Sequence, residues 1–189
     1  MKILILIVSF LYLPLASSKV ELKPGDILLQ PLHCWACNLI EGQTNSEYSH
    51  IGVVISASEK EILVAEAYLK VRAVSLEEFN SKTQKGLTLE VLRPNFVSND
   101  LFKNYYKHFH NKPYDRNFLW DDEKIYCSEL VQKLFEISSM QSPRATPMEF
   151  DVNREYWERY FRGEVPDGEL GISPEDFKQS GLYNSIGFL

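Results

Sequence analysis

The first pattern along the chain is an apolar stretch from Ile3 to Leu15 that carries no charge. One lysine, Lys2, precedes it and the small residues Ala16, Ser17 and Ser18 follow. That is the layout of a secretory signal peptide, with Ala16 and Ser18 meeting the small-x-small rule for cleavage. The stretch is short for a membrane span and no stop-transfer pattern follows, so stable membrane insertion after cleavage is not expected. Residues 1–18 are therefore expected to be removed, and 19–189 to form one domain in a periplasmic or secreted protein.

Beyond Ser18 the hydrophobic spacing alternates between strand and helix periods. "GDILLQ" reads as a short strand after the Pro24-Gly25 turn, and "LHCWACNLIEGQ" as one or two helical turns ending near Gly42. "SEYSHIGVVISASEKEILVAEAY" is the strongest hairpin signal, two β-rich runs about a polar Ser56–Glu61 segment. "GLTLEVLRP" predicts a third strand with Leu87, Leu89 and Val91 on one face, ended by Pro94. Leu101, Phe102, Tyr105, Tyr106 and Phe109 have helical spacing behind Ser98 as N-cap, and "KPYDRNFLWDDEKIY" reads as a loop. Leu130, Val131, Leu134 and Phe135 mark a helix from Cys127 to about Ser138. "NREYWERYFRG" predicts a shorter helix stopped by Gly163, and "ISPEDFKQSG" one capped by Ser173 with Pro174 first. Helices mixed with antiparallel strands predict a single α+β domain, a small antiparallel sheet packed against helices.

Charge narrows the partners. Formal net charge is −6, and loss of Lys2 with the leader makes it −7. No basic stripe is left for phosphates, so nucleic acid is not an expected partner. Export also alters the meaning of the three cysteines. Cys34 and Cys37 form a close pair in "HCWAC", open to a local disulfide, to two reduced thiols or to thiol–disulfide exchange. Cys127 is the odd one out: a small packed residue, half of an intermolecular link, or a free reactive thiol.

Two features favour reactivity. Cys127 opens a helix, whose free N–H groups lower a thiol's pKa and can stabilise an oxyanion. The hairpin can supply an oriented base. Strand alternation puts His50, Gly52 and Val54 on one side, and Ile62, Val64 and Glu66 on one side of the partner. Folding about residue 58 sets His50 opposite Glu66, and a shift of two residues leaves them diagonal neighbours. A shift of one would turn Glu66 to the other face.

"GDILLQ", "SEYSHIGVV", "AEAY", "KPYD" and "YCSEL", in that order, resemble the permuted papain-like amidases of the YiiX/YebB-like group, relatives of NlpC-type cell-wall peptidases. The resemblance runs from Gly25 to about Phe135, returns weakly around "ISPEDF", and implies a circularly permuted papain-like (NlpC-type) fold. It implies a Cys-His-Glu triad of Cys127, His50 and Glu66, with a peptide or amide substrate such as a cell-wall stem peptide and no cofactor. An acyl-lipid or thioester substrate on the same triad stays open, as does a non-catalytic peptide-binding cleft. The "HCWAC" pair and the segment 140–170 fall outside the motifs that carry the likeness.

Other candidates are weaker. Tyr48, two residues before His50, is expected on the His50 side near an oxyanion. Asp121 and Asp122 are expected as an acidic rim favouring a substrate with a free amine. His33, Cys34 and Cys37 lack a fourth ligand at metal-site spacing, so no metal is expected.

Overall fold

Backbone pairing explains why the apolar runs fold as they do. The computed structural model describes residues 20–189; the signal-peptide segment lies outside the described residues. Six strands form one antiparallel sheet: β1 (Ile27–Gln30), β2 (His50–Ala57), β3 (Ile62–Tyr68), β4 (Lys70–Ser75), β5 (Glu90–Pro94) and β8 (Tyr183–Phe188). Their spatial order is β4-β3-β2-β1-β5-β8. A short ribbon pairs β6 (Thr146–Pro147) with β7 (Leu170–Gly171). The helices are α1 (Trp35–Thr44), α2 (Leu76–Asn80), α3 (Leu101–His108), α4 (Cys127–Ile137), α5 (Arg154–Phe161) and α6 (Pro174–Gln179).

The sheet is buried on both faces. On one side Ile27, Ile51, Val53 and Ala65 pack against Leu130, Val131, Leu134 and Phe135 of α4 and Leu101 and Tyr105 of α3. On the other, Leu28, Val54, Val64 and Val91 meet Phe79 of α2 and Leu22. Continuous burial of β1 and of most of β2 follows, which is why both read as near-unbroken apolar runs.

The hairpin of β2 and β3 differs from a simple fold about residue 58. Near the tip Ala57 faces Ile62, yet further in Val54 faces Val64 and Gly52 faces Glu66, with a β-bulge between Val54 and Ser56. Ile55 is the extra residue on β2, and its buried side chain joins the α4-side core. Gly52 is required by a close approach: a Cβ there would come within 2.6 Å of the Phe79 ring and 2.8 Å of Val64.

Several boundaries differ from the sequence expectation. α1 runs two residues past Gly42, ending at Asn45 in the left-handed conformation. α3 starts at Leu101 rather than behind Ser98, whose hydroxyl accepts the Asp100 N–H in the preceding turn instead. Leu87 is exposed and precedes β5, while Leu89 and Val91 are buried as expected. α6 has the anticipated Ser173 cap, with Asp176 returning a hydrogen bond to the Ser173 N–H.

Candidate active site

Cys127 stands where the loop 112–126 delivers the chain to α4. Tyr126 is the N-cap, and Glu129 reaches back to accept its N–H at 3.2 Å. Upstream, the carboxylate of Asp115 accepts the N–H groups of Asn117 at 2.9 Å and Leu119 at 2.6 Å. The loop is thereby shaped so that Phe118 packs edge-on against Tyr126.

His50 opens β2 and meets this helix start. Its Nε2 lies 2.8 Å from Glu66 Oε2, and both side chains are buried. The bulge leaves the two residues diagonal across the pair, since Gly52 is the direct partner of Glu66. The imidazole stacks on Phe79 with centroids 5.7 Å apart and meets the edge of Tyr68. With Nε2 committed to Glu66, the remaining ring nitrogen is left for Cys127, the neighbour through which His50 lowers the thiol pKa. Ser128 Oγ lies 3.8 Å from the Cys127 sulfur.

These contacts set the charges. Burial opposes ionisation of the Cys127 thiol, but hydrogen bonding and attraction to His50, with Ser128 and the Ile51 N–H, hold its pKa below the ordinary value. Burial likewise opposes the imidazolium, and the bonds to Cys127 and Glu66 override it, raising His50 to about 9. Both shifts favour a thiolate–imidazolium state. For Glu66 burial is outweighed by His50 and Lys82, leaving the carboxyl near pKa 2.

Two cations at Glu66 escaped the sequence reading. Arg72 on β4 donates to Oε1 from Nε at 3.1 Å and from Nη2 at 2.8 Å, and Lys82 Nζ lies 2.9 Å from the same oxygen. Arg72 faces Glu66 directly across β3 and β4, a pairing that needed β4 to be recognised as a strand.

A cavity of about 320 Å³ opens beside Cys127 and Ser128. Its walls come from α1, from Phe118 and Tyr126, and above all from the segment 146–176. Residues 140–170 carried no recognisable motif; the hints nearby were the helix of "NREYWERYFRG" and the capped helix of "ISPEDFKQSG". The Tyr126 hydroxyl accepts the Ile172 N–H at 3.0 Å, tying the α4 start to this wall.

Other sequence candidates lie elsewhere. Tyr48 precedes β2, where strand alternation does not yet apply, and its hydroxyl donates to Glu90 at 2.7 Å beneath Lys178. Asp121 and Asp122 are exposed beside Lys133 rather than on the cavity wall. Asp121 accepts two N–H groups of its own turn, and Asp122 pairs with Lys133 at 2.9 Å. The acids that do line the cavity are Glu149, Glu175 and Asp176. Cys34 and Cys37 form a disulfide across the first turn of α1, off the cavity wall.

Known proteins share this arrangement of chain. The uncharacterized protein YiiX of Escherichia coli (strain K12) is 27% identical over 163 residues, 81% of this chain and 80% of that one. A crystal structure described as metalloprotein yiiX from Escherichia coli O157:H7 superposes with a TM-score of 0.79 at 25% identity, over 88% of this chain and 97% of that chain. In the present chain the donors do not fit a metal centre. Among the described residues no three His, Cys, Asp or Glu side chains are grouped to hold an ion. Both oxygens of Glu66 are engaged by His50, Arg72 and Lys82, and the Cys34 and Cys37 sulfurs are bonded to each other. Residues 21–186 match the permuted papain-like amidase enzymes of the YaeF/YiiX, C92 family, and the chain belongs to that family.

Proposed function

We propose that the protein is an exported cysteine amidase in which Cys127 is the nucleophile, His50 the general acid and base, and Glu66 the group that orients the imidazole. The observation that carries this is the buried line from Glu66 through His50 to the Cys127 sulfur at the start of α4. The thiolate attacks an amide carbonyl, and the Cys127 N–H at the helix start receives the developing oxyanion. The imidazolium then gives its proton to the departing amine, leaving an acyl-enzyme. Water, deprotonated by the now neutral His50, attacks that thioester and returns the acid product and the thiol pair. Peptide amides are the substrate class, with cell-wall stem peptides implied by the family resemblance.

Export draws support from the leader-like pattern of residues 1–18 and from the disulfide, which suits an oxidising compartment. A mature protein recovered from the cells with residues 1–18 intact would argue against it.

Chemistry is tested by labelling and turnover together. Iodoacetamide at mildly acidic pH is expected to modify Cys127 selectively, with the modification lost in His50→Ala. Cys127→Ala is expected to abolish release of amine from peptide amides and wall fragments. Undiminished hydrolysis by Cys127→Ala would overturn the assignment of the nucleophile.

A further inference from the structure

The cavity beside Cys127 divides by chemistry. Phe118, Met148, Phe150, Trp157 and Ile172 make an apolar wall, and all but Met148 are buried. Met148 lies over Gly171, its sulfur and methyl group filling the space a side chain there would take. The charged residues on the wall are the acids Glu149, Glu175 and Asp176, with no lysine or arginine among the described lining residues. Glu175 takes hydrogen bonds from Ser46 and Gln179, and Asp176 from Ser173. All three donors are neutral, so they leave the negative charge of those carboxylates in place.

Once the amine departs, the acyl half of a substrate remains bonded to the Cys127 sulfur. The cavity adjoins the sulfur that carries that half. We infer that this cavity is an acyl-side subsite for amides whose acyl unit carries a bulky apolar group and no anionic group. An apolar group gains by leaving water for the aromatic and thioether wall, whereas a carboxylate would be repelled by three acids. The volume, at the small end for ligand pockets, suits a large side group with its flanking amide. This substrate class rests on Cys127 being the nucleophile, and within peptide amides it favours those whose acyl side is apolar and uncharged.

The test reads the pocket without requiring turnover. Chloromethyl ketones of leucine, phenylalanine, glycine and glutamate are compared for their rate of alkylating Cys127, located by mass and normalised to iodoacetamide. The leucyl and phenylalanyl reagents are expected to react at least about tenfold faster than the glycyl one, the range a hydrophobic pocket gives for a few methylenes. The glutamyl reagent is expected to be slowest. Met148→Glu, checked for folding by circular dichroism beside Met148→Ala, is expected to shrink the leucyl-to-glycyl ratio. Equal rates for all four reagents, or a preference for glutamyl, would overturn the subsite. Coumarin amides of the same residues are run in parallel. Retained ranking by the ketones with no amide hydrolysis would count against the amidase and leave the subsite standing.

Discussion

Glu66 has more partners than orienting one imidazole requires. Oε2 serves His50 while Oε1 is shared by Arg72 and Lys82, so the carboxylate is pinned at both oxygens. The cations also partly offset its negative charge beside a thiolate. Removing either, as in Lys82→Met or Arg72→Gln, makes the surroundings of the Cys127–His50 pair more negative. Both ionisation steps of the pair are then expected to move to higher pH, read as thiolate absorbance or iodoacetamide rate against pH, with Arg72→Lys largely restoring the profile. An unchanged profile would assign both residues to packing alone. In the wild type the imidazolium is lost as pH rises through about 9, so hydrolysis is expected to fall there. The lowered pKa of Glu66 implies the opposite dependence for stability. Its contribution is present above the ordinary carboxyl range and is lost as pH falls toward about 2.

At the scale of elements, α4 was the most legible part of the chain. Its buried residues Leu130, Val131, Leu134 and Phe135 repeat at helical spacing, and Cys127 falls at its first position. Its cap holds a conflict. Glu129 is wholly buried, with one oxygen on the Tyr126 N–H; Lys133 Nζ is 2.8 Å from the other, yet off any hydrogen-bonding direction. Burial therefore prevails over Lys133 and raises the Glu129 pKa to about 7. The folded chain holds this proton more tightly than the unfolded one, so the residue costs stability as pH rises from the ordinary carboxyl range to about 7. Glu129→Gln keeps an acceptor for the cap and is expected to be stabilising at pH 8, with little effect at pH 4, in thermal melts at the two values. Strands β4 and β8 were not legible. They form the two edges of the sheet, and "KVRAVS" and "YNSIGF" mix polar residues with too few apolar ones to set a period.

Across the whole molecule, local patterns predicted the four inner strands and the α4 start but not what surrounds them. The cavity wall at Met148, Phe150, Trp157 and Ile172 is made by contacts between distant segments, and no spacing rule announces such contacts. The same limit misplaced the acidic rim: Asp121 and Asp122 adjoin Cys127 in sequence, whereas Glu149, Glu175 and Asp176 adjoin its cavity in space. The bulge at Ile55 has a consequence in simple parity. Ala57 facing Ile62 leaves a four-residue tip, whose paired numbers add to an odd total, while His50 and Glu66 share a side only if that total is even. A four-residue tip and this histidine–glutamate pair are thus incompatible in an unbroken ladder, and Ile55 reconciles them by one step. Deleting Ile55 is expected to preserve strand content by circular dichroism while turning Glu66 away from His50 and abolishing selective labelling of Cys127. Deleting one tip residue as well, such as Lys60, makes the total even again and is expected to restore labelling; failure of that rescue would mean Ile55 matters for packing rather than for count.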